Sequence, residues 1–103
     1  MLFIKFEEFN KLVDKLSEQE EYEKVDEILD DQIDEIIKLD SKEIEKYLML
    51  YASLAGDAES LARFYKLFNK AVSLGKIKQT DLKKNMRNYH QLIDGYSLYK
   101  ISK

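Results

Sequence analysis

The chain has no cysteine, no proline and no tryptophan, and only three glycines in 103 residues. Without cysteine there can be no disulfide, no thiolate metal site and no thiol nucleophile. Without proline, and with so little glycine, the punctuation that strands and hairpins need is missing, so helices joined by tight connections are expected. His90 is the only histidine and Thr80 the only threonine. Neither has the company that catalysis needs. His90 falls at the edge of an apolar stripe, where a structural role is expected, and Thr80 reads as a helix cap. No glycine-rich phosphate loop and no nucleophile elbow are present, so no catalytic, cofactor-binding or metal-ligating residue is assigned. The longest nearly apolar run, "YLMLYASLAG" at 47–56, is far short of a membrane span. The opening "MLFI" meets Lys5 at once and is too short for the apolar core of a signal peptide. A soluble, cytoplasmic protein without a membrane partner is the expectation.

What the chain does have is charge, at 36% of residues, together with 45% apolar residues, which is too many for a disordered tail. Its length suits one domain, 1–103. Apolar residues recurring at about 100° per residue predict five helices. The first covers 4–16, with Phe6, Phe9, Leu12, Val13 and Leu16 on one stripe. "SEQE" then reads as a capping box, with Ser17 as N-cap and Glu20 as its partner, opening a second helix over 18–39. One continuous helix to residue 39 is the competing reading. The second stripe is Tyr22, Val25, Ile28, Leu29, Ile33, Ile36 and Ile37. Asp40 and Glu43 open a third helix at 41–55, which Gly56 ends as the residue past its C-cap. Asp57 caps a fourth helix at 58–74, closed by Gly75, and Thr80 caps a fifth at 81–97. The third helix is apolar almost all round, which predicts either the centre of the bundle or a subunit interface. Helices two and four, and three and five, begin roughly 39 residues apart, as in a helical solenoid, but their stripes do not superpose at that offset. The fold expected is all-α: a compact bundle of four to five helices with short loops.

The charge is divided along the chain. Residues 1–45 carry 16 acids and 6 bases, a net of −10, and residues 46–103 carry 4 acids and 11 bases, a net of +7. Residues 18–35, "EQEEYEKVDEILDDQIDE", hold ten acids and the single base Lys24. On a helical wheel Glu20, Glu23, Glu27, Asp30, Asp31, Asp34 and Glu35 lie opposite the apolar stripe, as a solvated face would. Asp26 alone projects into the apolar arc, where it either pairs with a base from helix four or five or marks a gap in packing. A cation cage is not expected, because hard cations need oxygens converging from several elements and one convex face presents them diverging. Like charges at i,i+4 strain an isolated helix by a few tenths of a kcal/mol each. The basic half is the obvious source of an offset.

Arg63, Lys66 and Lys70 fall at i, i+3, i+7 on the back of helix four, and Lys83, Lys84 and Arg87 on helix five. "AVSLGKIKQTDLKKNMRNY" at 71–89 resembles a helix-turn-helix in the four-residue spacing of Ala71 and Gly75. Leu82 arrives one residue late for that motif, and Lys76 stands where an apolar residue is usual. The resemblance implies nucleic-acid binding through helices four and five. Three functions are therefore carried forward. The first is a small non-enzymatic protein-binding module, an adaptor, inhibitor or immunity-type factor, working through charged helix faces. The chain resembles the small helical bundles that guard against bacteriocins in size and class only. The second is a nucleic-acid binder using the basic face. The third is an acidic inhibitor in which the carboxylates of helix two imitate DNA phosphates. Another protein is the expected partner, and a second copy of the chain is a possible one. Tyr96, Tyr99 and Ile101 add apolar area beyond what a core of this size needs.

Overall fold

The computed structural model describes residues 5–55, 57–78 and 80. Among them are four helices and no strand: α1 Phe6–Glu18, α2 Tyr22–Ile36, α3 Ser41–Ser53 and α4 Ala58–Ser73. The expected fifth helix, 81–97, and Gly56 lie outside the described residues. So do Lys83, Lys84, Arg87, His90, Tyr96, Tyr99 and Ile101.

The apolar stripes become one core. Phe9 and Val13 from α1, Leu29, Ile33 and Ile36 from α2, Ile44, Tyr47 and Leu48 from α3, and Phe64, Leu67 and Phe68 from α4 are all buried. The rings of Phe6 and Phe9 meet Tyr47 edge-on, with centroids 5.1 and 5.6 Å apart. Phe64 and Phe68, one turn apart on α4, stack at 6.0 Å. α2 and α3 each pack against the other three helices. α3 is not apolar all round, however. Met49 is 46% exposed and Ser53 is also exposed, so α3 has a wet side and shares the central position with α2.

The break after α1 is real, but its chemistry differs from the capping box. Ser17 belongs to α1, and α2 starts at Tyr22 with no side-chain cap from Glu21. What ends α1 is a Schellman closure. The Glu21 amide donates to the Leu16 carbonyl at 2.9 Å and the Glu20 amide to Ser17 at 3.0 Å. That geometry puts Glu20 at φ 59°, in the left-handed region where glycine is usual. α4 ends in the same way. Gly75 sits at φ 72°, its amide donates to Val72 at 3.0 Å, and the Lys76 amide donates to Ala71 at 3.1 Å. The two caps read from sequence at α3 and α4 form as expected. Asp40 accepts from the Glu43 amide at 3.0 Å, and Asp57 from the Ser60 amide at 2.8 Å. α3 stops at Ser53 with Leu54 as its C-cap, so Ala55, not Gly56, is the first residue beyond it.

Candidate functional site

The acidic helix carries two parallel rows of carboxylates, and the bundle treats them differently. Asp26, Asp30 and Asp34 recur every four residues along the edge of α2 that faces α4. Asp30 accepts from Arg63 Nε at 2.8 Å, and Asp34 from Lys70 Nζ at 2.8 Å. Asp26 lies 3.4 Å from Arg63 Nη1. Arg63 and Lys70 are two turns apart on α4, so both bases face the same edge of α2. The result is an ion ladder between the helices.

This overturns one expectation outright. Arg63 was placed on the solvated back of helix four, yet its side chain is 6% exposed. Burial works against its charge, but the hydrogen bond to Asp30, with the charges of Asp30 and Asp26, outweighs that cost and holds its pKa above the ordinary value. Arg63 Nη1 is enclosed and sits at ion-pair distance from Asp26, but makes no hydrogen bond. Asp26 meets a base from helix four, the first of the two readings of its place in the apolar arc. Lys70 is half-exposed and paired. Of the three basic residues on α4, Lys66 alone stays on the open surface. Its charge and that of Lys38 add to the pull of Lys70 on Asp34, whose carboxyl is held below the usual range chiefly by the Lys70 hydrogen bond.

The second row, Glu23, Glu27 and Asp31, also repeats every four residues and points outward. All three are exposed and none has a partner among the described residues. Glu20 is exposed beside this row, on the turn rather than on the helix. Glu35 pairs with Lys38 at 3.3 Å and leaves the row. The seven-residue acidic face thus resolves into Asp30 and Asp34, which are structural, Glu35, which is locally paired, and a free set of Glu20, Glu23, Glu27 and Asp31.

At the N-terminal end of α2 lies a groove of about 240 Å³. Its walls include Tyr22, Val25 and Leu29 from α2 and Leu54 after α3, with Asp26 and Asp57 on the polar side. Tyr22 was expected inside the apolar stripe, but it is 59% exposed. α2 begins at this residue, and the ring lines the groove where the helix ends leave it open to solvent.

Sequence reasoning missed Lys76. Its Nζ donates to the carbonyls of Ile37 at 2.7 Å and Leu39 at 2.9 Å, and its own carbonyl accepts from the Ser41 hydroxyl at 2.6 Å. One residue just past α4 thus satisfies carbonyls left open where α2 ends. The signal was present as the misfit in the helix-turn-helix comparison, where a lysine replaced the usual apolar residue. Its hydrogen-bonding role makes that misfit intelligible.

Tyr51 was expected only as core. Its hydroxyl donates to the Leu29 carbonyl across the α2–α3 contact. Among the described residues no cluster of three or more His, Cys, Asp or Glu could hold a metal ion, and no helix is long and apolar enough to cross a membrane. Neither a family model, nor a curated protein, nor a solved structure matches this chain.

Proposed function

We propose that the protein is a non-catalytic module that binds another protein through the outward carboxylate row of α2. The observation that carries this reading is the contrast between the two rows. Three carboxylates on one edge of α2 are answered by α4. Three more at the same spacing, Glu23, Glu27 and Asp31, are not answered by any described residue. A like-charged row at i,i+4 opposes helix formation. Local rules broken without an internal offset are expected at functional surfaces. An exposed row of this kind steers a basic partner and raises its rate of encounter.

The nucleic-acid reading is weaker on the same geometry. Arg63 is buried among carboxylates and Lys70 is paired, so α4 offers Lys66 alone to a phosphate backbone. Oligonucleotide binding is expected to be weaker than about 10 µM near physiological salt, the non-specific regime.

The test is affinity capture from the native host with the wild type and with Glu23→Gln/Glu27→Gln/Asp31→Asn. A specific partner held by the wild type should be lost from the variant, while the melting temperature is unchanged or raised. A partner held equally by both would remove this row from the site.

A further inference from the structure

We infer that the groove at the N-terminal end of α2 receives one apolar side chain of a lysine- or arginine-rich segment of the partner protein. This inference rests on the protein-binding reading and specifies the chemistry of the partner. Three observations converge on it.

The first is size. At about 240 Å³ the groove falls below the roughly 300–1,000 Å³ of sites that enclose whole small molecules. It has room for a single anchor of the kind that dominates protein interfaces.

The second is the lining. Tyr22, Val25, Leu29 and Leu54 give an apolar wall built from two elements. Tyr22, at 59% exposure, is the most exposed large apolar side chain among the described residues. A tyrosine standing open at the mouth of an apolar groove is a residue type enriched at interfaces.

The third is charge. Asp30 already gives Arg63 its short hydrogen bond, at 2.8 Å. Asp26, in the groove lining, has only the 3.4 Å contact to Nη1 and is 44% exposed. Its carboxylate therefore has lone pairs to offer a second cation without stripping Arg63 of its partner. Asp57 brings a further carboxylate to the groove lining, held ionised by the Ser60 amide. Glu20 and Glu23 line a separate hollow at the start of α2 that shares Tyr22 with the groove. No lysine or arginine lines the groove among the described residues. An apolar wall beside the carboxylates of Asp26 and Asp57 disfavours an acidic segment and favours a basic one with a hydrophobic anchor.

The probe is a labelled synthetic peptide of lysine with leucine at i, i+3 and i+4. Two twins accompany it, one with every leucine replaced by serine and one with every lysine replaced by glutamate. Binding is read by fluorescence anisotropy near physiological salt and mapped by amide chemical shifts, and sedimentation of the protein alone is run beside it. The leucine–lysine peptide should bind and shift the amides of Val25, Leu29 and Leu54. The serine twin should bind at least about tenfold more weakly, the loss expected for one truncated anchor. Tyr22→Ser, at an exposed position that leaves the core intact, should produce a similar loss, and Asp26→Asn should weaken the lysine peptide. The glutamate twin should not bind.

Equal binding of the leucine and serine peptides, lost at high salt and indifferent to Tyr22→Ser, would overturn the groove while leaving the outward carboxylate row as a docking surface. No binding by any peptide would overturn the groove, and the capture experiment above would then decide the broader reading alone. A dimer that Tyr22→Ser dissociates would also overturn it, by making a second copy of the chain the occupant.

Discussion

Arg63 on α4 donates from Nε to the Asp30 carboxylate on α2 at 2.8 Å, and its side chain is almost wholly buried while Asp30 stays half-exposed. The pair is thus asymmetric. The cation has been taken out of water, but the anion still touches it. Arg63 needs Asp30 more than Asp30 needs Arg63, and the two should respond differently to substitution.

Arg63→Ala removes packing as well as charge and leaves Asp26, Asp30 and Asp34 repelling one another along one edge of α2. A loss of about 2 kcal/mol is expected, below the full cost of orphaning a buried charge because the carboxylates left behind are partly solvated. Arg63→Met keeps much of the packing and should cost less than Arg63→Ala. Asp30→Asn leaves a buried guanidinium with only Asp26 and should cost more than Asp26→Asn. Urea melts of the four variants decide the order. Asp26→Asn proving the more damaging would mean that the 3.4 Å contact, not the hydrogen bond, holds the ladder together.

The two carboxylate rows should respond in opposite senses to neutralisation. Asp34→Asn breaks the Lys70 pair and should lower stability only slightly, because Asp34 is 76% exposed and such pairs are screened. Asp31→Asn removes repulsion and should leave stability unchanged or slightly raised. The gap between the two variants should narrow at high salt as the charges are screened. A gap that persists at molar salt would point to hydrogen bonding, not charge, as its source.

The all-α class, the four described helices and most of the core were legible because apolar periodicity reports burial directly. Phe9, Val13, Leu29 and Ile33 all lie where their stripes put them. Asp26 was legible in part: an acid in an apolar arc either finds a base or marks a packing gap, and only the fold decides that Arg63 reaches it. Arg63 was not. A wheel places an arginine among polar neighbours, but which helix faces that edge is a tertiary fact. Glu20 was misread because "SEQE" has the letters of a capping box, and the Schellman closure of α1 uses the same residues in another way. The groove was not legible at all, since it is made by the ends of elements distant in sequence.

Glu20 is the position where local strain can be relieved. Its φ of 59° costs an L-residue roughly 1–2 kcal/mol, of which glycine recovers part after its own entropic penalty. Glu20→Gly should therefore stabilise the protein by about 0.5–1 kcal/mol, as glycine does at the equivalent position of α4, Gly75. Thermal melts of Glu20→Gly and Glu20→Ala distinguish this from a simple loss of charge. If alanine stabilises as much as glycine, repulsion and not backbone strain is what Glu20 contributes.

Lys76 joins the end of α4 to the end of α2 through two carbonyls and no carboxylate. Lys76→Met retains the aliphatic stem but leaves the Ile37 and Leu39 carbonyls without this donor. A loss of about 1.5–3 kcal/mol is expected, the range for hydrogen bonds to a charged group. Lys76→Arg offers donors in a different geometry and should recover part of it. Hydrogen exchange should localise the loss to residues 36–41, where the α2–α3 connection would open first. A Lys76→Met protein that melts with the wild type would show that water replaces the ammonium at no cost.

Acid and alkali should destabilise the fold through different residues. Asp34 is held below the usual 3.8 by the hydrogen bond and charge of Lys70, and Asp57 below 3.8 by the hydrogen bond from the Ser60 amide. In both cases the unfolded chain takes up its proton at a higher pH than the folded one. Their contribution is present above pH 3.8 and is lost as pH falls through the lower folded values. At the other end, burial, with smaller effects from Glu43 and Glu7, pushes the Tyr47 hydroxyl up from 10.0 to about 12. Burial also drives Tyr51 upward from the same ordinary value. Here the folded chain keeps protons that the unfolded chain gives up, so stability is full below pH 10.0 and falls as pH rises from there through the folded values. Melting temperatures followed from pH 6 to pH 3 should drop less steeply in Asp34→Asn/Asp57→Asn than in the wild type, because asparagine can still cap α4 but does not titrate. From pH 9 to pH 12 the drop should be shallower in Tyr47→Phe. The slopes are the readout, since either variant also changes stability at neutral pH. Parallel slopes in the acid series would mean that carboxylates other than Asp34 and Asp57 govern acid unfolding. Parallel slopes in the alkaline series would leave Tyr51 and Tyr65, whose hydroxyl burial also pushes up, as the groups whose ionisation opens the core.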